Sequence, residues 1–351
     1  MPPFTSIYVL YPRGLRTGGP EALHQLVDTL RALGQEAYLT PLPGTTEADR
    51  VKEYEHYDAP ERGFVDAPEH ALVAPETYTK SLSLAKRATR ICWWLSIDYS
   101  PLFFTERERI YQHSYSVTDR LIHAARAGRG VAFRMALSRK PWSDMLHLAQ
   151  SQYAWNFLYD RLDITASLVT DYTPTTELDG IPRRAVPERG RTVSYNPKKG
   201  GWVVEELRRR GAPYDFVPIQ KMTRGEALRT LCESAVYMDP GNHPGKDRMP
   251  REAALAGAIT LVSRRGSGAN WQDVPIPWDH KIDMTGDVAA NAAARLEAVF
   301  SDLAGHKERQ AGYEPFIRGE RERFRHEVAA FFVDGRYGSD LPGDRLPPPG
   351  A

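Results

Sequence analysis

At 351 residues the chain exceeds what one core needs and suits two ordinary domains. Apolar residues make up 41% and charged residues 26%, and 46 Lys and Arg against 45 Asp and Glu leave a net charge of +1. That balance argues against general binding to nucleic acid or anionic membranes, either of which needs a surplus of cations over a broad face.

Ser6–Tyr11 reads as a buried strand, too short and too promptly broken by Pro12 for a signal peptide. No apolar run approaches the ~20 residues of a membrane span. Leu23, Leu26, Val27, Leu30 and Leu33 then form one helical face that Gly34 stops, and a strand is expected over Glu36–Thr40. Residues 43–70 are polar and read as a surface excursion. Leu72–Pro75 and Arg90–Ser96 read as strands with a helix over Thr79–Ala88 between them. From 105 to 161 the pattern is mostly helical, with a break near Arg139-Lys140-Pro141 and with His147, Gln150 and Ser151 on a helix; Asp163–Thr170 reads as a last strand. The cysteines, Cys92 and Cys232, lie in apolar surroundings without metal-ligand spacing and read as free thiols of a reducing compartment, the cytoplasm.

The second half alternates more cleanly. Strands are expected at Thr192–Tyr195, Asp215–Pro218, Val236–Asp239 and Ile259–Val262, with helices over 202–210, 224–235 and 249–256 between them. Thr223 and Glu226 have capping-box spacing. Helices near 286–303 and 307–332 close the chain. The pattern divides it into a first domain (1–172), a linker (173–190), a second domain (191–305), a closing helical segment (306–334) and a flexible tail (335–351). Strand–helix alternation on both sides of a linker predicts an α/β protein of two Rossmann-like domains, parallel sheets facing a central cleft, with ligands beyond the carboxyl ends of the strands.

Three loops of the second half leave strands on that same edge. The strongest runs from Pro240 to Asp247 into a helix with Pro250 in its first turn, and it concentrates His243, Gly245, Lys246, Asp247, Arg248 and Arg251. Backbone N–H groups at a helix start together with Lys and Arg hold a nucleotide diphosphate, and Glu252 can accept from a ribose diol. A solvated turn capped by Asp247 is the plainer alternative. The Asn196-Pro197-Lys198-Lys199-Gly200 turn brings lysines and close backbone approach, without the order of a Walker loop. Gly266, Ser267 and Gly268 offer backbone amides as an anion nest. Glu252 and Lys246 read as loop-edge residues whose loss would spare the fold.

In the first half, Gly18, Gly19 and Glu21 open the first strand–helix turn to an acceptor substrate, or simply make a tight turn; the dinucleotide fingerprint is absent there, which disfavours an NAD-dependent oxidoreductase. Asp98 ends a strand as a general base or as a turn-starting residue. Asp98, His243 and Lys246 are the candidates for catalysis. No D-x-D or H-E-x-x-H occurs, so no metal and no cofactor is expected, and cationic loops carry the diphosphate.

The stretch Pro250–Leu261 resembles the donor-site helix and following strand of GT-B glycosyltransferases. Retaining members carry two glutamates eight positions apart; Glu252 matches the second, which contacts the donor ribose, and Pro244 stands where the first would fall. His243–Arg248 and Asn196–Gly200 resemble loops of a bacterial and phage subgroup, and Thr17–Glu21 its acceptor-side loop. The resemblance implies a glycosyltransferase that uses a nucleotide sugar as donor, and the missing metal motifs make it a metal-independent one. A sugar-nucleotide epimerase of similar fold and a non-catalytic partner subunit are the alternatives.

Overall fold

A computed structural model describes residues 3–45, 48–100 and 144–338. Two compact units emerge. One holds the described chain through Tyr172 and takes it back from Arg321; the other holds Thr173–Glu320.

The first unit is built on a six-stranded parallel sheet in the order β2-β1-β3-β4-β5-β6. Its strands are β1 (Ser6–Tyr11), β2 (Ala37–Pro41), β3 (His70–Pro75), β4 (Thr89–Trp94), β5 (Met145–Ala149) and β6 (Ser167–Leu168). The central strands are apolar runs because both of their faces are covered. On one face lies the helix Gly18–Ala32, through Leu23, Leu26, Val27 and Leu30; Gly34 follows it at φ +77°, where a side chain would be strained. The final helix, Glu320–Phe332, contributes Phe324, Val328, Phe331 and Phe332 to the same core, with the Phe324 ring stacked 6.3 Å from that of Trp93.

The second unit is a five-stranded parallel sheet in the order β11-β10-β9-β7-β8, made of β7 (Thr192–Tyr195), β8 (Asp215–Pro218), β9 (Val236–Asp239), β10 (Ile259–Ser263) and β11 (Lys281–Ile282). Its helices are cut by local chemistry. Asn196 caps Pro197–Arg209, and the Thr223–Glu226 capping box starts Arg224–Glu233 with both reciprocal bonds in place. The chain steps from β7 outward to β8 and then returns to the other side of β7 as β9, so the sheet changes direction between β7 and β9.

Several sequence expectations change. The 43–70 excursion is not a bare surface loop: Tyr54, Tyr57 and Ala59 enter the core, and Tyr54 Oη donates to Thr17 O at 2.9 Å. The segment after β3 is 3-10 helix over Glu76–Leu84, kinked at Tyr78, rather than an α-helix over Thr79–Ala88. His147 lies on β5, not on a helix, and Ser151 caps the following helix Gln152–Leu162. The 173–190 stretch is packed, with Leu178 and Val186 buried. The single closing helix over 307–332 is three, Leu303–Arg309, Tyr313–Arg318 and Glu320–Phe332, interrupted at Gly312 and Gly319. The break near residues 139–141 and the tail beyond 338 lie outside the described residues.

Candidate functional site

In an open parallel sheet, ligands bind beyond the carboxyl ends of the strands, at the point where the strand order changes direction. Here the loops at that point are the turn after β7 and the long loop after β9. They cross in contact because both carry glycine. A Cβ on Gly200 would stand 2.5 Å from the Pro240 ring, and one on Gly241 would stand 2.5 Å from Lys199 Cβ. The turn after β10 closes against the other side of the β9 loop. Gly266, at φ +57°, leaves no room for a side chain beside the His243 carbonyl oxygen, and a Cβ on Gly268 would meet the His243 ring at 2.6 Å. Ser267 N donates to His243 O at 2.9 Å, Ser267 Oγ donates to Gly245 O at 2.5 Å, and Ser263 Oγ donates to Gly241 O.

At the centre stands Asp247. Its Oδ2 accepts from Lys199 Nζ at 2.5 Å and lies 2.7 Å from His243 Nδ1. Burial opposes ionisation of Asp247, but the Lys199 ammonium and the His243 hydrogen bond outweigh it and hold the carboxyl down at about 2. His243 is 1% exposed, and its Nε2 faces Asp239 O at 3.3 Å. Its ring sits between the β9 loop and the turn after β10, with both nitrogens turned to protein acceptors.

The helix Arg248–Leu255 starts at this point, and Arg251 braces its entry. The Arg251 guanidinium donates to Asp247 O at 3.2 Å and to Lys246 O at 2.7 Å, while its Nη1 lies 2.8 Å from Glu320 Oε2. Lys246 Nζ lies 3.0 Å from Glu320 Oε1 and is itself buried. Glu252, 4% exposed, has Arg224 Nη1 at 2.5 Å from its Oε1 and Arg248 Nε at 3.9 Å; Arg224 Nε in turn donates to Glu177 Oε2 at 2.9 Å.

Asn196, Lys198, Lys199, Gly245, Lys246, Asp247, Arg248, Glu252, Gly266, Ser267 and Gly268 therefore all fall on one edge of one sheet. Lys198 is exposed, and Lys199 and Arg248 are half-buried. Lys246 and Glu252 are not the loop-edge residues that the sequence suggested: both are buried in ion pairs. Arg224, Arg251 and Glu320 also shape this edge. Arg251 stood in the charged loop, Arg224 follows the visible cap Thr223, and Glu320 carried no sequence signal.

Gly18, Gly19, Glu21 and Asp98 belong to the first unit. Gly18 is exposed, with nothing within 4 Å of where a Cβ would stand, and Gly19 faces Leu95. Glu21 is buried and accepts from Tyr57 Oη at 2.9 Å. Asp98 is fully buried and accepts from Tyr153 Oη at 2.8 Å. His147 Nδ1 accepts from Trp94 Nε1 at 3.2 Å.

Among the described residues, two groups bring ligand-type atoms within 4.8 Å: Asp239, His243 and Asp247, and Asp279, His280 and His306. In the first, the Lys199 ammonium already lies against Asp247. In the second, Gln310 Nε2 meets His280 Nδ1 at 2.6 Å while the same amide bonds both Thr260 N and Thr260 O. That amide fixes His280 with Nδ1 accepting and Nε2 protonated toward His306 Nδ1, 2.6 Å away. A metal at Nε2 would have to displace this proton.

No family model and no curated protein matches the sequence. Solved structures do match. A trehalose-6-phosphate protein from E. coli, bound with UDP-2-fluoro glucose, aligns at 10% identity over 94% of this chain and 98% of that one, with a TM-score of 0.57. Sucrose-phosphate synthase from Thermosynechococcus elongatus aligns at 11% identity over 93% and 95%, with a TM-score of 0.56. A glycosyltransferase from Rickettsia africae ESF-5 aligns at 12% identity over 94% of each chain, with a TM-score of 0.52. With its two parallel-sheet α/β units, the chain has the GT-B fold. Among the described residues no helix is long and apolar enough to cross a membrane.

Proposed function

We propose that this chain is a glycosyltransferase that takes a sugar from a nucleoside-diphosphate donor held by its second unit. One observation carries the reading: the loops after β7, β9 and β10 interlock at the change of direction in the sheet and bring Lys199 and Arg248 to the start of the helix Arg248–Leu255, with Lys198 beside Lys199 in the turn after β7. Cations beside backbone N–H groups at a helix start favour a diphosphate. As the glycosidic bond breaks, negative charge grows on that diphosphate, and the same groups stabilise it as it leaves. Nothing in this scheme calls for a metal or a cofactor.

Glu252 presents its remaining oxygen to a ribose diol while Arg224 holds the other. Asp98, His243 and Lys246 keep roles through positioning in this reading, since each is already engaged by the protein. Gly18, Gly19 and Glu21 mark the acceptor side. The free, buried Cys92 and Cys232 support a cytoplasmic location.

The test is a thermal-shift panel of UDP, GDP, ADP, CDP, dTDP and their sugar conjugates, with NAD as control. A site saturated at ~100 times its dissociation constant adds about 2.7 kcal/mol of stability. Stabilisation by one diphosphate family supports the reading, and UDP is the first to try. A response to NAD alone, or to no nucleotide, refutes it. Epimerisation of the sugar nucleotide without an acceptor would move the assignment to an epimerase.

A further inference from the structure

Glu320 is 0% exposed, and a carboxylate this deep is costly unless its charge is matched by nearby cations and hydrogen-bond donors. Three segments supply them. Lys246 Nζ comes from the β9 loop, Arg251 Nη1 from the helix that follows, and Thr173 N donates at 3.1 Å from the start of the unit. All four residues belong to the second unit. Arg251 is 2% exposed and directs its other nitrogens to Lys246 O and Asp247 O. Asp247 in turn holds Lys199. A continuous chain of bonds thus runs from Glu320 through Arg251 to the backbone at 246–247, and on through the Asp247 carboxylate to the Lys199 ammonium.

We infer that Glu320 is a positioning residue for the β9 loop: it orients Arg251 and neutralises Lys246, so that these two cations set the loop's shape. Lys246 then acts through Glu320 and does not touch the phosphates. The consequence for affinity rests on the donor site proposed above, whereas the effect on the loop does not.

The test is a double-mutant cycle on the full chain with Glu320→Gln, Lys246→Met and the pair, read in two ways. Hydrogen exchange of the peptide spanning 240–252 needs no nucleotide, and Glu320→Gln should speed it by about tenfold or more with the strands of the first unit unchanged. The dissociation constant for UDP should rise about tenfold in each single variant, and the pair should be no worse than the poorer single, as expected for residues acting as one unit. Glu320→Asp, which keeps the charge, should recover part of both. If Glu320→Gln does not fold, Lys246→Met and Glu320→Asp supply the same two readouts.

Unchanged exchange at 240–252 overturns the inference. So does a loss of UDP binding in Lys246→Met with wild-type binding in Glu320→Gln, which would place Lys246 on the phosphate. Wild-type protein that binds no nucleotide refutes the donor site alone, and the exchange result still decides the role of Glu320.

Discussion

Lys199 Nζ lies 2.5 Å from Asp247 Oδ2, joining the turn after β7 to the start of the helix after β9. The pair sets an ammonium at the edge where two loops cross, and the carboxylate both holds it and competes for it. Lys199→Met should therefore weaken UDP binding about tenfold or more, since charge-assisted hydrogen bonds contribute roughly 1.5–3 kcal/mol. Titration calorimetry measures this, and an unchanged dissociation constant would remove Lys199 from the site.

The same pair makes a pH statement. The Asp247 carboxyl is held at about 2, below the ordinary 3.8. A folded-state value below the unfolded one means that its contribution to stability is present above pH 3.8 and is lost as pH falls toward 2. Asp247→Asn should flatten that limb of the stability–pH curve, as read by denaturant unfolding. An acid limb identical to wild type would contradict the assigned environment.

Glu76 works in the opposite direction. It is buried at the end of β3, and burial pushes its carboxyl up to about 7 against the pull of N–H groups from Leu95 and Ser96. The folded state therefore holds the proton more tightly than the unfolded chain, and this group's contribution to stability declines as pH rises from 4.5 to about 7. Cys92, whose thiol is also pushed up by burial, is the neighbouring titratable group. Glu76→Gln should lose this slope, so its melting temperature relative to wild type should climb across that window. A pH-independent difference would show that Glu76 does not titrate there.

Gly266 and Gly18 form a matched pair of tests. Gly266→Ala places a methyl against the His243 carbonyl at φ +57° and should cost about 3 kcal/mol, through left-handed strain and overlap together. Gly18 has nothing within 4 Å of an added Cβ, so Gly18→Ala should leave the melting temperature unchanged. A fall in turnover at unchanged stability in that variant would report a substrate approaching the turn.

Glu252→Ala removes the buried partner of Arg224 and should lower stability by about 1–3 kcal/mol as well as weaken UDP binding. Glu252→Gln, which keeps shape and one acceptor, should recover most of the stability and little of the affinity. Full affinity in both variants would exclude Glu252 from the ribose.

The sequence by itself determined what is local. The strands of the second half, the Thr223–Glu226 capping box and the placement of three loops after β7, β9 and β10 follow from apolar runs, caps and glycines within a few residues of one another. Those signals sufficed for two parallel-sheet α/β domains because parallel strands and their crossover helices each carry their own pattern, and the resemblance of Pro250–Leu261 supplied the GT-B class. Residues 43–70 misled for the opposite reason: Tyr54 and Tyr57 are buried against Thr17, Glu21 and His24 at the start of the first helix, a contact that their polar neighbours do not announce. Only the tertiary structure decided which charges of the loops after β7 and β9 face outward. Lys246 and Lys199 look alike in sequence, but one is taken up by Glu320 and the other stands at the crossing of two loops. Glu320 lies 69 residues beyond its partner Arg251, and pairing at that separation leaves no periodicity to read. Charge lists name the candidates for a site; burial, which depends on the whole chain's packing, assigns their roles.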